Sequence, residues 1–81
     1  MKVRILVSLK ESVLDPQGQT VRNALHTLEY KAVKDVRQGK VFDLELENID
    51  RTEAERIVPE IADKVLANPI IEKFTWEIIE A

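Results

Sequence analysis

The chain has 81 residues, of which 44% are hydrophobic and 33% are charged, with a formal net charge of -3 and no cysteine. This length allows one small domain, residues 1–81, and the composition is too apolar for a disordered chain. The acidic balance argues against a nucleic-acid-binding face, and the lack of cysteine excludes disulfides and thiolate metal sites.

No segment of the sequence predicts a membrane span or an export signal. No apolar run approaches the roughly 18 residues that cross a bilayer. The opening MKVRILVSLKES is too short for a secretory signal and lacks its small-residue cleavage site. We therefore expect a cytoplasmic protein that binds neither a membrane nor nucleic acid.

The first predicted element is a strand from Lys2 to Leu9. Val3, Ile5 and Val7 place β-branched apolar side chains at every second position, which is the period of a strand with one core face. The segment LDPQGQT then interrupts the pattern and separates this strand from a helix.

This segment contains the residues of a helix start. Asp15 suits the N-cap, and Pro16 suits the first helical position, where its missing N–H is not needed. Gly18 has no such role, because glycine within a helix costs about 0.5–1 kcal/mol relative to alanine. Gly18 therefore predicts a close approach by another backbone, a side chain or a ligand. A helix N-terminus could hold an anion, but only Lys10 is near enough in sequence to support one.

Helix one is predicted from Val21, Ala24, Leu25 and Leu28, which recur at the i, i+3, i+4 and i+7 spacing of an apolar stripe. His26, the only histidine, falls on the opposite, polar side of this helix. We expect it to be solvated rather than catalytic.

The next predicted element is a long strand from Val33 to Glu47. Its apolar side chains fall on even positions across the Gly39 break: Val36, Phe42, Leu44 and Leu46. A two-residue hairpin loop at Gly39-Lys40 would turn Val36 to the opposite face. A continuous strand keeps the faces in agreement, as does a three-residue hairpin loop over residues 38–40, and we favour the continuous strand. Because such a strand outruns its neighbours, its overhang calls for a partner such as a second copy of the chain.

Helix two is predicted from Thr52, because Thr52 and Glu55 have the spacing of a capping box. Pro59 falls inside this helix, where a proline destabilises the helix by roughly 3 kcal/mol, and it predicts a kink or a restart. Asn68-Pro69 ends the helix. The helix stripe comprises Ala54, Ile57, Val58, Ile61, Ala62, Val65 and Leu66, and one face of a last strand comprises Ile70, Phe74, Trp76 and Ile78.

These elements predict an α+β fold, a two-layer sandwich with two helices on one face of a mainly antiparallel sheet. The predicted order is β-α-β(long)-α-β. A ferredoxin-like β-α-β-β-α-β order is the alternative if the middle strand breaks at Gly39. The opposite sheet face is polar and can face water or a polar interface.

The sequence offers few candidates for catalysis. A nucleophilic triad and a zinc-type site both lack their residues, since the chain has one histidine and no cysteine. Gly18 and Gly39 are the only glycines and lie far apart, so no phosphate-binding or dinucleotide fingerprint is present. We therefore expect no catalytic residue and no metal site.

Three segments carry a family resemblance: LKESVLDPQGQTVRNALHTL, VKDVRQGKVFDLEL and ADKVLANPIIEKFTWEI. They resemble the PurS family, the small structural subunit of phosphoribosylformylglycinamidine synthase, a ligase complex of de novo purine biosynthesis. The resemblance extends over nearly the whole chain, and the combination of VLDPQG, VRxGK and LANPIIE is specific.

The resemblance implies a non-catalytic subunit. In that family a glutaminase subunit releases ammonia from glutamine, and a large synthase subunit uses ATP and Mg to activate formylglycinamide ribonucleotide and accept the ammonia. The small subunit forms a homodimer that bridges the two, and it binds no cofactor itself. The matching motif positions, carried over as partner or dimer contacts, are Asp15, Pro16, Gln17, Gly18, Arg37, Gly39 and Lys40.

Two positions depart from the family pattern. The family usually has glycine where this chain has Glu29, after the leucine that ends helix one, and an uninterrupted helix where this chain has Pro59. Both departures question local geometry more than function. Two rival functions stay open: a regulatory module that binds a metabolite at the turn before helix one, and an acylphosphatase-like enzyme, whose arginine-containing anion loop the sequence lacks.

Overall fold

The computed structural model describes residues 1–81, which form three strands and two helices. The elements are β1 (Lys2–Leu9), α1 (Pro16–Thr27), β2 (Gly39–Glu45), α2 (Arg51–Ile61), a π-helical segment (Ala62–Leu66) and β3 (Glu72–Glu80). The predicted α+β class and the β-α-β-α-β order are confirmed. None of the helices combines the length and apolar character that a membrane span needs.

The strands form one antiparallel sheet in the order β2-β1-β3. In the central strand, Ile5 lies opposite Phe42 on β2 and Trp76 on β3. All three side chains lie on the sheet face that the period-two patterns predict. The sequence therefore fixes the registers by keeping the apolar sets of three strands on a single face.

The core lies between this sheet face and α2. Val3 and Ile5 have no exposed surface, and they form one cluster with Ala54 and Val58 of α2. An alanine at position 54 lets the helix approach the sheet closely. Larger side chains that are partly buried pack around this cluster: Phe42, Leu44, Leu46, Ile57, Leu66, Phe74, Trp76 and Ile78.

α1 does not share this layer, unlike the two-helix layer that the sequence predicts. None of its side chains belongs to the core cluster, and Val21 and Leu28 of its apolar stripe are 41% and 66% exposed. The chain measures 50 × 26 × 14 Å with a radius of gyration of 16.1 Å, whereas a compact domain of this length has about 12 Å. α1 therefore extends beyond the sheet as an arm with an open apolar stripe.

β2 is shorter than the predicted strand from Val33 to Glu47. It pairs with β1 only from Gly39 onward. The residue before it, Gln38, donates its N–H to Asp15 instead of to β1. Residues 33–38, which we call the strap, lie in no strand and run beside α1. A hairpin partner for β2 does not form either, so the ferredoxin-like alternative is not observed within one chain.

α2 starts at Arg51 and is capped by Asp50 instead of Thr52. The Asp50 carboxylate accepts a hydrogen bond from the Glu53 backbone N–H at 2.8 Å. The predicted Thr52–Glu55 capping box was wrong because a stronger N-cap residue stands two positions earlier, with Glu53 in its first turn.

The second helix continues through Pro59 without restarting and changes to π winding at Ala62. Within the π segment the Ala67 N–H donates to the Ala62 carbonyl at 2.8 Å, a five-residue step. Both alanines are buried, so the core stripe passes from position 62 to 67. Val65, predicted in that stripe, is 76% exposed for this reason, and Ile70 is exposed because β3 begins only at Glu72.

α1 ends in a Schellman motif that holds Glu29 in a left-handed conformation. The Tyr30 N–H donates to the Leu25 carbonyl at 2.9 Å, and the Glu29 N–H donates to the His26 carbonyl at 3.0 Å. Glu29 has a φ of 74°, a value that glycine adopts without the steric cost of a Cβ atom. The backbone at this position therefore follows the left-handed path of a glycine cap, although the residue is a glutamate.

We expect Glu29→Gly to raise the free energy of unfolding by about 1 kcal/mol, because the left-handed conformation costs a Cβ-bearing residue about that much. Urea denaturation measures the change. Glu29→Ala is the matched control, since it removes the same side chain but keeps the Cβ atom, and it should unfold close to the parent midpoint. Equal stabilities of the glycine and alanine variants would contradict strain at this position.

Candidate functional site

The residues carried over from the family motifs lie where the turn before α1 meets the strap and the first residues of β2. We call this region the junction. It comprises Asp15, Pro16, Gln17, Gly18, Arg37, Gln38, Gly39 and Lys40. A shallow pocket of about 160 Å³ opens between these segments, with Gln17, Gln38 and Lys40 in its wall.

Asp15 joins the start of α1 to the strap. One carboxylate oxygen accepts the Gly18 N–H at 2.9 Å as the helix N-cap, and the other accepts the Gln38 N–H at 2.7 Å. The side chain is buried, with 4% of the residue exposed. The Gln38 N–H, then the Gly18 N–H, lower the pKa of Asp15 below its ordinary value, while burial acts in the opposite direction and the charge of Arg37 helps to lower it. Asp15 and Pro16 thus occupy the predicted cap and first helical positions.

We expect Asp15→Asn to destabilise the fold at neutral pH, because the amide NH₂ would face a backbone N–H and one acceptor would be lost. The folded pKa is lowered, so the carboxylate stabilises the fold above the unfolded pKa of about 4, and this contribution disappears as pH falls through the folded pKa. The stability gap between parent and variant, measured by urea denaturation, should therefore narrow in acid. Asp63→Asn, at an exposed position, is the matched control and should change stability little at neutral pH. A pH-independent gap for Asp15→Asn would contradict the role of its charge.

Gly18 is the point where the strap touches α1. A Cβ atom at this position would lie 2.1 Å from the Val36 carbonyl oxygen, far inside contact distance. Gly18 is also the buried residue of α1. The predicted close approach is therefore confirmed, and the approaching group is the backbone of the same chain.

Two side-chain contacts close the junction. The Arg37 guanidinium donates to the Lys10 carbonyl at 3.1 Å and to the Val13 carbonyl at 2.8 Å, which ties the strap to the turn before α1. The Gln38 side-chain amide donates to the Gln17 side chain at 3.0 Å. Arg37 is thus positioned by backbone carbonyls instead of by an acidic partner.

Gly39 and Lys40 lie where the strap becomes β2. A Cβ atom on Gly39 would lie 2.7 Å from the Val7 carbonyl oxygen, so this position also needs glycine. The Lys40 ammonium lies 3.6 Å from the Glu72 carboxylate of β3. This ion pair joins the two edge strands, β2 and β3, at this end of the sheet. The Glu72 carboxylate also accepts a hydrogen bond from the Asn68 N–H at 2.7 Å.

The remaining strap contacts come from α1 side chains that sequence reasoning assigned to solvent. The Arg22 side chain donates to the Lys34 carbonyl at 2.8 Å, and His26 Nε2 lies 2.7 Å from the Val33 carbonyl, so this nitrogen carries the proton. His26 is half-buried, so the prediction that its side chain is solvated was wrong. The polar side of α1 binds the strap backbone, an arrangement for which a helical pattern gives no signal.

The junction has the properties of a structural joint. The Asp15 carboxylate occupies the N-terminus of α1, where it would repel an anion. The pocket of about 160 Å³ is smaller than the roughly 300–1,000 Å³ of small-molecule sites. No group of three or more histidine, cysteine, aspartate or glutamate side chains is placed to hold a metal ion.

Comparison with known proteins gives one consistent family. The model of the PurS family, described as phosphoribosylformylglycinamidine (FGAM) synthase, matches residues 2–80. The phosphoribosylformylglycinamidine synthase subunit PurS of Bacillus subtilis (strain 168) is 49% identical over 79 residues, which is 98% of this chain and 93% of that one. The corresponding subunit of Archaeoglobus fulgidus is 44% identical over 71 residues, 88% of this chain and 89% of that one.

Solved structures agree with the sequence matches. The structure of B. subtilis PurS superposes with a TM-score of 0.88 at 49% identity and covers 98% of both chains. A chain in the structure of PurLQS from Thermotoga maritima superposes with a TM-score of 0.84 at 32% identity, covering 94% of this chain and 93% of that one.

Proposed function

The chain belongs to the PurS family of phosphoribosylformylglycinamidine (FGAM) synthase, and on this premise we propose that it is a non-catalytic assembly subunit of that cytoplasmic complex. In this proposal it bridges a glutaminase subunit and a large synthase subunit in purine biosynthesis. The synthase subunit uses ATP and Mg, and ammonia from glutamine reaches formylglycinamide ribonucleotide within the assembly. The chain binds no cofactor itself.

The observation that carries the proposal is the match to a chain of the T. maritima PurLQS structure over 94% of this chain. That structure contains PurS together with other subunits, as its composite name states. We propose that this chain assembles in the same way with counterparts of PurL and PurQ, and with a second copy of itself.

The geometry supports an assembly role. Polar groups at the junction bond to one another, since the Asp15 carboxylate has two N–H donors and Arg37 holds two carbonyls. By contrast, the arm exposes large apolar side chains, among them Leu28 at 66% and Tyr30 at 61%. An exposed apolar stripe beside a junction whose polar groups are bonded to one another is typical of a surface that another chain covers.

Reconstitution tests the proposal. The synthase and glutaminase subunits are mixed with and without this chain, and product formation is measured with glutamine or with an ammonium salt as the nitrogen source. We expect glutamine-dependent turnover to require the chain and the chain alone to be inactive, while ammonium-dependent turnover reports that the synthase subunit is intact. Full glutamine-dependent turnover without the chain would contradict the proposal.

A pair of variants tests the junction in the same assay, with circular dichroism to check that both chains are folded. Gly18→Leu should displace the strap and reduce complex formation, because the side chain would occupy the position of the Val36 carbonyl. Gln19→Leu adds the same side chain one position later, at an exposed site, and should assemble normally. Native mass measurement of the mixed subunits compares the two.

A further inference from the structure

β3 is an edge strand with no neighbour on its outer side. Met1 and Leu46 donate to each other's backbone carbonyl, so the odd-numbered residues of β1 face β2 in the ladder. The even-numbered residues of β1 therefore face β3, and their partners at residues 73–77 of β3 have odd numbers. The backbone N–H and C=O groups that face away from the sheet are those of Phe74, Trp76 and Ile78.

This edge lacks the devices that usually prevent pairing with another chain. Exposed edges are normally blunted by proline, by bulges or by a very short strand. β3 has nine residues and no proline, and its register irregularity lies beyond Ile78, at the Lys2/Val3 end of β1. Its middle residues, 74–78, are aromatic or β-branched apart from Glu77, a composition that favours strand pairing. The edge is therefore able to accept a further strand.

A groove lies along this edge between β3 and the start of α2. It encloses about 520 Å³ and is lined by Arg51, Glu55, Trp76, Glu77 and Ile78. This volume is within the roughly 300–1,000 Å³ of binding sites. Trp76 and Ile78 are half-buried on the core face of β3, and the Arg51–Glu55 ion pair at 3.1 Å forms a polar wall. A strand added to β3 would place every second side chain on the side of this groove, which is how extended peptides bind beside sheet edges.

The free charges at this edge are acidic. Glu77 and Glu80 form no ion pair within the chain. Arg4, the ladder partner of Glu77, donates to a carboxylate of β2 instead, at 2.8 Å. The one basic residue of β3, Lys73, is paired with Glu11 at 3.6 Å. A complementary strand must therefore supply Lys or Arg.

A second copy of β3 does not meet this requirement. It carries the same unpaired carboxylates, and its one lysine is already paired. Full overlap of two such edges in antiparallel register would set Trp76 opposite its copy and Glu72 opposite Glu80 at each end. Like charges directly opposite one another are destabilising. The edge therefore suits a strand of different sequence.

We infer that the open edge of β3 pairs with an extended segment of another subunit of the complex, one with apolar side chains over the groove and Lys or Arg opposite Glu77. The inference deepens the proposed function and rests on it for the presence of the other subunits. Main-chain hydrogen bonds to Phe74, Trp76 and Ile78 supply affinity in this contact, and the groove supplies specificity.

Amide hydrogen exchange tests which backbone groups the partner covers. The chain is compared alone and in complex with the synthase and glutaminase subunits. The amides of Trp76 and Ile78 should exchange at least about tenfold more slowly in the complex, because they gain acceptors there. Those of Thr75 and Glu77, which face β1, are the internal control and should be slow in both states. Unchanged exchange of Trp76 and Ile78 in an intact complex would overturn the inference, as would slow exchange of both in the chain alone, the sign of a second copy.

Charge reversal tests the chemistry of the partner. Glu77→Lys should weaken complex formation about tenfold, because an attraction becomes a repulsion, and raised salt should reduce the difference. Asp63→Lys makes the same change of charge at an exposed site outside the groove and should bind like the parent. Sedimentation of the mixed subunits compares the three chains. Equal binding by Glu77→Lys and Asp63→Lys would contradict a basic segment at this edge.

A proline at the edge tests the backbone contact. Ile78→Pro removes an N–H that faces away from β1, so the ladder is kept, whereas Ile78→Ala removes the side chain and keeps the N–H. The proline variant should bind the partner subunits about tenfold more weakly than the alanine variant, and equal binding would count against pairing. Circular dichroism checks that both variants are folded. If the proline chain is unfolded, the charge variants and the exchange measurement decide.

The outcomes separate this inference from the proposed function. A chain that forms no complex with the two subunits would overturn both. A complex whose glutamine-dependent turnover requires the chain, but in which the exchange of the Trp76 and Ile78 amides is unchanged, would overturn the inference alone.

Discussion

Gly18→Ala should lower the free energy of unfolding by about 2 kcal/mol, although alanine is the better helix former. Alanine gains about 1 kcal/mol over glycine in a helix interior. Against this, the new Cβ atom would lie 2.1 Å from the Val36 carbonyl oxygen, and backbone cannot rotate away as a side chain can. Overpacking of this kind costs typically 1–3 kcal/mol and more when the backbone must move. The steric term therefore exceeds the helical gain, and the strap must shift.

Urea denaturation measures this change, with Gln19→Ala as the matched control. Gln19 is the next residue of α1 and is exposed, so alanine there should change stability by less than about 0.5 kcal/mol. A shift in the strap also breaks the 2.7 Å hydrogen bond between Gln38 and Asp15. The Gln38 amide proton should then exchange faster in Gly18→Ala than in the control. A Gly18→Ala chain as stable as Gln19→Ala would show that the strap moves without cost.

The sheet could be predicted from the sequence because its information is local. Ile5, Phe42 and Trp76 each stand in a period-two pattern, and burying all three on one face leaves few registers. The same parity rule extended the strand back to Val36, but pairing with β1 begins only at Gly39. The turn before α1 was equally readable, because Asp15 and Pro16 act on neighbouring backbone atoms.

The position of α1 could not be predicted in this way. A stripe such as Val21 to Leu28 shows that one helix face avoids water, but it does not show whether the cover comes from the same chain or another. The position of the strap could not be predicted for a related reason. Arg22 and His26 bind backbone carbonyls of the strap, and every residue has such a carbonyl whatever its side chain. The local signal for the strap was Gly18, whose cost in a helix required a close neighbour.

Pro59→Ala should raise the free energy of unfolding by about 2 kcal/mol. Pro59 is inside α2, so the Glu55 carbonyl lacks its usual N–H donor and meets the proline ring, at a cost of about 3 kcal/mol. Proline also restricts the unfolded chain, which stabilises the fold by about 0.4–1 kcal/mol, and the substitution removes this contribution. The net gain of about 2 kcal/mol is a large fraction of the total free energy of unfolding of a small domain, which is on the order of 5–10 kcal/mol.

The order of three variants separates the causes. Alanine restores both the N–H and the helix propensity, whereas glycine restores the N–H alone and should be about 1 kcal/mol less stable than alanine. Glu60→Ala, at the exposed neighbouring position, should change stability little. Urea midpoints with an unchanged slope give the order. If Pro59→Ala left the midpoint unchanged, the helix would have to relieve the missing bond elsewhere.

The π segment, Ala62–Leu66, is where the helix could compensate for the backbone hydrogen bond that Pro59 removes. If Pro59 caused the π winding, Pro59→Ala would restore α winding and move Val65 toward the core. Burial argues against this, because the five-residue step keeps both Ala62 and Ala67 inside, and α winding would expose one of them. We therefore expect the Ala67 amide to stay protected from exchange in Pro59→Ala, with the π segment held by its alanines and the proline acting on stability alone.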